Sequence, residues 1–311
     1  MKSSRYRVCG ACVPAALVLA RLRRWCLVLG VMCLAGCGRQ QIERVEWPVM
    51  GTIAAVQVRS ASIFFHAAAT SVVRQITFDL EHALNAHDPD SELSRLAPLE
   101  EEEILSQCGK SPMLYSRDVR PCYEAAFKLM HESGGAFNPR WRGPKTLDLG
   151  AIAKGFAVDV AAKDCYADHA DALIDIGGNI KAVRGEGGSH RPWRTGVMDP
   201  NGGGFAAVVE LREGEALATS ATYYRGSHIY DGRTGLAVSN GVASVTVLCN
   251  SAMWADGLST TLFVLGPEEG KKFLDEKGER LIDGGKVAAL WVLSDGRQIK
   301  FDADGRFEVC R

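Results

Sequence analysis

The chain has 311 residues, 47% of them apolar and 23% charged, with a formal net charge of −1. That length can bury a sizeable core as one large domain or two modest ones, and the composition excludes a disordered or fibrous chain. The charge balance offers no basic surface of the kind that binds nucleic acid.

Residues 1–36 stand apart from the rest. They hold six basic and no acidic residues, then an apolar run over 25–35, and they close in Leu34-Ala35-Gly36-Cys37. Eleven apolar residues are too few to cross a bilayer and fit a secretory h-region. Small residues directly before a cysteine resemble a bacterial lipobox, so cleavage is expected to leave Cys37 as a lipidated N-terminus. A plain signal peptide with an incidental cysteine is the alternative. Glycine rather than aspartate at position 38 points, by the same resemblance, to the periplasmic face of the outer membrane. Without this leader 30 Lys and Arg face 37 Asp and Glu, a net charge of −7. The body keeps Cys108, Cys122, Cys165, Cys249 and Cys310 with no CxxC pair; these allow one disulfide but name no partners and no zinc site.

Residues 37–46 are polar and read as a lipid-anchored tether, with a folded domain over 47–311. Residues 52–59 alternate as a strand. Apolar residues at 72, 73, 76, 80, 83 and 84 predict a helix over 70–85, stopped by the turn-rich Asn85-Ala86-His87-Asp88-Pro89-Asp90. A second helix is predicted over 118–133, with Pro121 near its start and Gly134-Gly135 beyond its end. Leu147-Asp148-Leu149-Gly150-Ala151-Ile152-Ala153-Lys154-Gly155 reads as a strand-to-helix joint leading into a helix over about 151–169. A buried strand at 172–176 ends in Gly177-Gly178-Asn179, and 181–218 reads as strands linked by Gly-rich turns. The β-branched run 242–249 is a further strand. A helix from 252 to 265 follows, and another begins at Gly266-Pro267 and runs to 276. Residues 288–293 and 299–301 flank Asp295-Gly296 as a closing hairpin. Sheet and helix alternate without regular βαβ spacing, which predicts an α+β or mixed α/β fold.

Several segments carry candidate chemistry. The joint at 147–155 brings a carboxylate, backbone groups and an ammonium to one spot, which suits a phosphorylated ligand and also an ordinary strand–helix junction. Asp256 and Thr260 lie four apart on one helix face, so they can supply two hard oxygens to one Mg²⁺; an Asp in this place can equally serve as a cap or dipole partner. Gly177-Gly178-Asn179 can bring backbone close to a ligand or simply turn the chain. His228 is a candidate general base or a structural histidine. Spacing excludes GxGxxG, the P-loop and GxSxG.

Taken in order, nine segments become specific. They are Val49-Met50-Gly51-Thr52, Asp88-Pro89-Asp90-Ser91-Glu92-Leu93-Ser94-Arg95, Gly135-Ala136-Phe137-Asn138-Pro139, the 147–155 joint, Ile174-Asp175-Ile176-Gly177-Gly178-Asn179, Pro192-Trp193-Arg194, Ala216-Leu217-Ala218-Thr219-Ser220, Ser227-His228-Ile229-Tyr230-Asp231-Gly232-Arg233-Thr234-Gly235 and Ala255-Asp256-Gly257-Leu258-Ser259-Thr260. Across roughly residues 47–275 this series resembles the ApbE family, the FAD:protein FMN transferases. The resemblance implies an α+β fold with two lobes around a cleft for FAD and Mg²⁺. It also implies transfer of FMN from FAD to a threonine or serine of a target protein, with release of AMP.

By position, the resemblance makes Asp256 and Thr260 side-chain Mg²⁺ ligands and Ala151 a backbone-carbonyl ligand. It makes Met50, Ala136, Phe137, Asn138, Asp148, Lys154 and Ile229 FAD contacts. His228 becomes the base that deprotonates the acceptor hydroxyl, with Asp256 as the second catalytic residue. Three departures stand out. His87 occupies the position of a family tyrosine set against the flavin, where an imidazole stacks less well. The interval 139–147 is short. Ala218-Thr219-Ser220-Ala221-Thr222-Tyr223 lacks the glycine and acid of the family's ATSGDY-like segment. These departures keep two alternatives open: an FAD diphosphatase giving FMN and AMP, and an FAD-binding lipoprotein without turnover. A solute receptor of the ABC type shares the lipobox but not the motif series.

Overall fold

The computed structural model describes residues 41–60, 63–108, 118–165, 171–184, 191–222 and 229–310. The expected leader, the lipidation site Cys37 and the candidate base His228 lie outside these. The chain enters as a hairpin of β1 (Gln41–Val49) and β2 (Thr52–Ser60), turned by Met50 and Gly51 at φ 51° and 66°. Both signs are what a two-residue hairpin turn demands. Helices α1 (Ile63–Leu84), α2 (Glu92–Leu96), α3 (Glu101–Gln107), α4 (Arg120–Glu132) and α5 (Ala153–Asp164) follow. Strands β3 (Asp171–Ile176), β4 (Asn179–Val183), β5 (Trp193–Met198), β6 (Phe205–Leu211), β7 (Ala216–Ala221) and β8 (Val242–Cys249) come next. Helix α6 (Ala252–Phe273) then leads through a π-turn at Leu274–Gly278 to α7 (Glu279–Leu281). The short strands β9 (Ala288–Leu293), β10 (Gln298–Phe301) and β11 (Glu308–Val309) close the chain.

An eight-stranded sheet in the order β1-β2-β3-β4-β7-β8-β9-β10, antiparallel from β2 through β10, forms the middle layer. Alternation along each strand sends side chains to two different cores. Ile174, Ala218, Val247 and Trp291 join Leu80, Leu129, Ala157 and Leu262 of the helices. Their neighbours Leu173, Leu217, Leu248 and Leu290 join Trp193, Val209, Leu211 and Phe307 of a three-stranded sheet, β11-β6-β5. The strands β3, β4, β7, β8 and β9 are therefore covered on both faces, and β8 and β9 are buried at every position. Strands buried on both sides need no polar face, so β8 reads as a nearly unbroken apolar run although its partners are antiparallel.

The α+β expectation holds, and several element expectations need amending. Residues 41–46, read as a tether, form the first part of β1. Its Val45, Trp47 and Val49 face the core while Arg44 and Glu46 face solvent and pair with each other. Helix α1 starts at residue 63 rather than 70, and its buried stripe is Val73, Ile76, Leu80 and Leu84, with Val72 exposed. Helices α2 and α3 were not foreseen. The segment Leu147–Leu149 is not a strand: it alternates, with both leucines buried, but the Asp148 N–H bonds to the Pro139 carbonyl of its own loop and not to the sheet. Gly266, at φ 71°, breaks α6 at the predicted Gly266-Pro267 step. Among the described residues no helix is long and apolar enough to cross a membrane.

Candidate active site

The first turn of α5 packs against the first turns of α6 at a contact that only glycine permits. A Cβ on Gly155 would lie 2.1 Å from the Ala252 carbonyl oxygen and 2.7 Å from Asp256 Cβ. That closeness lets the Gly155 N–H donate to Asp256 Oδ2 at 2.9 Å, across from one helix to the other. In a regular helix the same N–H would bond the carbonyl four residues back, that of Ala151. Ala151 instead sits in a turn before α5, and its carbonyl accepts no hydrogen bond among the described residues. Asp256 is 5% exposed, and its second oxygen, Oδ1, is likewise without a partner among them. Lys154 Nζ donates to the Gly150 carbonyl at 2.6 Å and stands 3.5 Å from Asp256 Oδ2.

Thr260, one turn beyond Asp256, touches Ser220 of β7 at 3.0 Å; Ser220 also lies 2.8 Å from Ser259. Of the sequence-predicted metal residues, Asp256 sits at the crossing of α5 and α6, Ala151 lies just before α5, and Thr260 lies one turn further along α6 against β7. No cluster of three or more His, Cys, Asp or Glu side chains stands ready for an ion among the described residues. A cation here would draw on one carboxylate, one hydroxyl and one carbonyl, an all-oxygen set that fits Mg²⁺ and its habit of keeping waters or phosphate oxygens for the remaining positions.

Asp159 holds this crossing from behind. From α5 it accepts Ser251 Oγ (2.6 Å), the Ala252 N–H (3.0 Å) and the Met253 N–H (2.9 Å), and Lys181 Nζ (2.7 Å) pairs with it. It satisfies two of the open N–H groups at the start of α6, where a negative charge also meets the helix dipole favourably. Ser251, the N-cap, accepts the Trp254 N–H at 3.2 Å. Sequence reasoning passed over Asp159, although it closes the Ala-Lys-Gly-Phe-Ala-Val-Asp run. It also passed over Ser220 and Ser259, for which only position in the motifs gave a signal. Beneath α6, Cys122 is fully buried; burial first and the Asp256 charge second push its thiol well up, so it stays protonated.

The expected FAD contacts fall into two groups. Asn138, Asp148, Lys154 and Met50 are part-exposed. Asn138 Nδ2 donates to the Gly232 carbonyl at 3.2 Å, and a Cβ on Gly232 would meet Asn138 Cβ at 2.2 Å, so the 135–138 and 229–235 segments are tightly joined. Asp148 accepts the Gly150 N–H at 2.9 Å and Trp141 Nε1 at 3.4 Å, with Arg142 at 3.6 Å. Met50, held at positive φ, donates its N–H to Glu81 at 2.6 Å. By contrast Ala136, Phe137 and Ile229 are buried, at 1%, 3% and 7% exposure, so only their backbone can meet a ligand. His87 is exposed on its turn, its N–H bonded to Asn85 Oδ1.

The short 139–147 loop is firmly built. Arg140 donates to the carbonyls of Ala97, Leu99, Pro144 and Thr146. Trp141 stacks on Tyr230 with centroids 4.1 Å apart, a pair no sequence signal announced. Asp231 is bound bidentately by Arg233, with Nε on Oδ1 at 2.9 Å and Nη2 on Oδ2 at 2.7 Å, and the guanidinium holds its carboxyl below the usual range. Two motif segments are structural. Gly177 and Gly178 form the β3–β4 hairpin turn at φ 61° and 88°. Trp193 is buried between the sheets beneath Arg59, 3.9 Å from its ring.

Comparisons with known proteins agree with this architecture. The sequence profile of the ApbE family matches residues 140–282. The FAD:protein FMN transferase of Treponema pallidum is 30% identical over 323 aligned positions, covering 81% of this chain and 86% of that protein. That of Rhodobacter capsulatus is 40% identical over 156 residues, covering 46% of this chain but only 29% of the relative. Among solved structures, the apo form of the Pseudomonas stutzeri flavinyl transferase ApbE superposes with a TM-score of 0.65 at 26% identity, covering 85% of this chain and 95% of that one. The Vibrio cholerae flavin transferase ApbE shares the fold, with a TM-score of 0.65 at 23% identity, over 86% of this chain and 100% of the other.

Proposed function

The chain belongs to the ApbE family, and from that premise we propose that it transfers FMN from FAD to a threonine or serine hydroxyl of a partner protein, releasing AMP, with Mg²⁺ held by Asp256, Thr260 and the Ala151 carbonyl. In this reaction the acceptor oxygen bonds to the FMN phosphorus, the pyrophosphate P–O bond breaks toward AMP, and the hydroxyl proton passes to a base. The observation that carries the reading is the Gly155 N–H, which bonds to Asp256 and leaves the Ala151 carbonyl, four residues before it, without a hydrogen bond among the described residues. When bound, Mg²⁺ supplies charge neutralisation on the pyrophosphate oxygens.

The chain's own residues do the rest. Asp256 Oδ2 is fixed by Gly155, so Oδ1 is presented without rotational loss. Lys154, anchored on the Gly150 carbonyl, adds a compact positive charge at the same spot. Asn138, tied to Gly232, and Met50, on its strained turn, offer polar and backbone contacts to the nucleotide. His228, by its place in the motif series, is the proposed base, a role contributing on the order of 10²–10⁴ in rate.

The test is incubation of the soluble body with FAD, Mg²⁺ and a protein bearing a [ST]-G-A-[ST]-like site. Covalent flavin on the acceptor with one AMP per flavin is expected. Free FMN with an unlabelled acceptor would sink transfer and leave the diphosphatase, an outcome that the exposed His87 at the tyrosine position favours. FAD retained through dialysis with no AMP would leave a binding protein. We place the enzyme at the periplasmic face of the outer membrane through a lipid on Cys37. Cys37→Ser should abolish incorporation of labelled palmitate, and unchanged labelling would remove the anchor assignment.

A further inference from the structure

Resting on the assignment of Thr260 as a metal ligand, we infer that Ser220 is a positioning residue, which together with Ser259 fixes the direction of the Thr260 hydroxyl. Three contacts carry the inference. Ser259 Oγ lies 2.8 Å from the Asp256 carbonyl oxygen, Ser220 Oγ lies 2.8 Å from Ser259 Oγ, and Ser220 Oγ lies 3.0 Å from Thr260 Oγ1.

Each hydroxyl owns one hydrogen and two acceptor sites. A carbonyl cannot donate, so Ser259 donates to Asp256. With that hydrogen committed, the Ser220–Ser259 bond must be donated by Ser220. With the Ser220 hydrogen committed in turn, the Ser220–Thr260 bond must be donated by Thr260. Only this assignment makes all three contacts hydrogen bonds. It points the Thr260 hydrogen at the sheet and leaves its lone pairs facing away, the state a cation ligand requires. A hydroxyl free to rotate would turn its hydrogen toward the cation in some of its rotamers.

The packing makes the chain of bonds stiff. Ser220 lies on β7, two and four residues beyond Ala218 and Ala216, which face the helical core, so it shares their side of the sheet. Ser259 is fully buried. On the other face of β7 the neighbouring Thr219 bonds Thr246 of β8 at 2.9 Å, which holds the strand in register at this point. The relay therefore ties the polarity of a ligand on α6 to a strand of the central sheet. Such outer partners typically change metal affinity by about 10–100-fold when removed.

The experiment is titration of Mn²⁺ into the full-length protein in the presence of ADP, with free ion read by electron paramagnetic resonance and no turnover needed. Asp256→Ala and Thr260→Val are expected to lose binding. Ser220→Ala should raise the dissociation constant about 10–100-fold, Ser259→Ala should raise it less, and Ser220→Thr, which keeps the oxygen, should return it toward wild type. If Asp256→Ala and Thr260→Val lose binding while Ser220→Ala matches wild type, the relay is overturned and the metal assignment stands. If the first two also bind as wild type, the metal assignment falls and the relay with it. A loss in Ser220→Ala that Ser220→Thr fails to rescue, with an equal fall in the metal-free unfolding midpoint, marks a merely structural serine and also overturns the inference.

Discussion

A single methyl group added at Gly155 is expected to damage stability and the metal site together. The new Cβ would sit 2.1 Å from the Ala252 carbonyl oxygen, 2.6 Å from its carbon and 2.7 Å from Asp256 Cβ, against about 3.4 Å for an ordinary contact. Two of these three atoms are backbone and cannot swing aside, so α5 and α6 must part by roughly 1 Å to relieve the overlap. Overpacking of this kind costs about 3 kcal/mol at the upper end of its usual range. The better helix propensity of alanine offsets about 1 kcal/mol of that. The net loss of about 2 kcal/mol corresponds to a fall of roughly 3–4 °C in Tm for a body of this size. The same shift pulls the Gly155 N–H off Asp256, and a misplacement of about 1 Å in a reacting constellation can cost about 10²-fold in rate. The assay pairs calorimetry with AMP release across a Mg²⁺ series. Gly278→Ala is the control, because that glycine has helical φ and its nearest neighbour would be Leu274 Cδ2 at 3.5 Å; it should be neutral or stabilising by up to about 1 kcal/mol. A Gly155→Ala protein with wild-type Tm and wild-type Mg²⁺ dependence would refute the reasoning.

Asp159→Ala removes the acceptor of four bonds and strands the Ala252 and Met253 N–H groups, so a loss of about 2–4 kcal/mol is expected in urea unfolding; Asp159→Asn, which keeps one acceptor oxygen, should lose less, and equal losses would show that charge and not hydrogen bonding holds the helix end. The half-buried pair Glu215–Arg306 sets a pH dependence. Burial alone would raise the Glu215 carboxyl, but the bidentate guanidinium at 2.6 and 2.7 Å outweighs it and the value lies below the ordinary glutamate range. A lowered folded value contributes stability above the unfolded pKa, and this is lost as pH falls through the folded one. Wild type should therefore lose stability on acidification more steeply than Arg306→Gln, and parallel pH–stability curves would dismiss the pair.

Much of the site was legible because its signals are local. Asp256 and Thr260 share a helix face by the period of the α-helix alone, and the Gly266-Pro267 step that breaks α6 is written in two residues that cannot continue a helix. The strand Val242–Cys249 was readable from β-branched content. Other local signals were present and overlooked. Ser91 caps α2, and Glu100 with Glu103 forms a capping box at α3, yet both helices are too short to show a stripe. In β1 the charges on the solvent face, Arg44 and Glu46, masked the alternation of Val45, Trp47 and Val49.

The sequence by itself determined the helix faces, the turns and the order of the functional segments, since each depends on residues within one or two turns of chain. It also announced a carboxylate, a lysine and a hydroxyl in motifs worth joining. Tertiary structure alone decided which oxygens are open. Among the described residues the Ala151 carbonyl accepts no bond, because Gly155 bonds to Asp256 about a hundred residues away, and Gly155 can do so only because it has no side chain where α5 meets α6. Likewise Leu147–Leu149 alternates like a strand, but whether an extended segment joins a sheet depends on a partner edge, and here its partner is Pro139. Hydrogen bonds between segments distant in sequence are settled by packing, which no local pattern records.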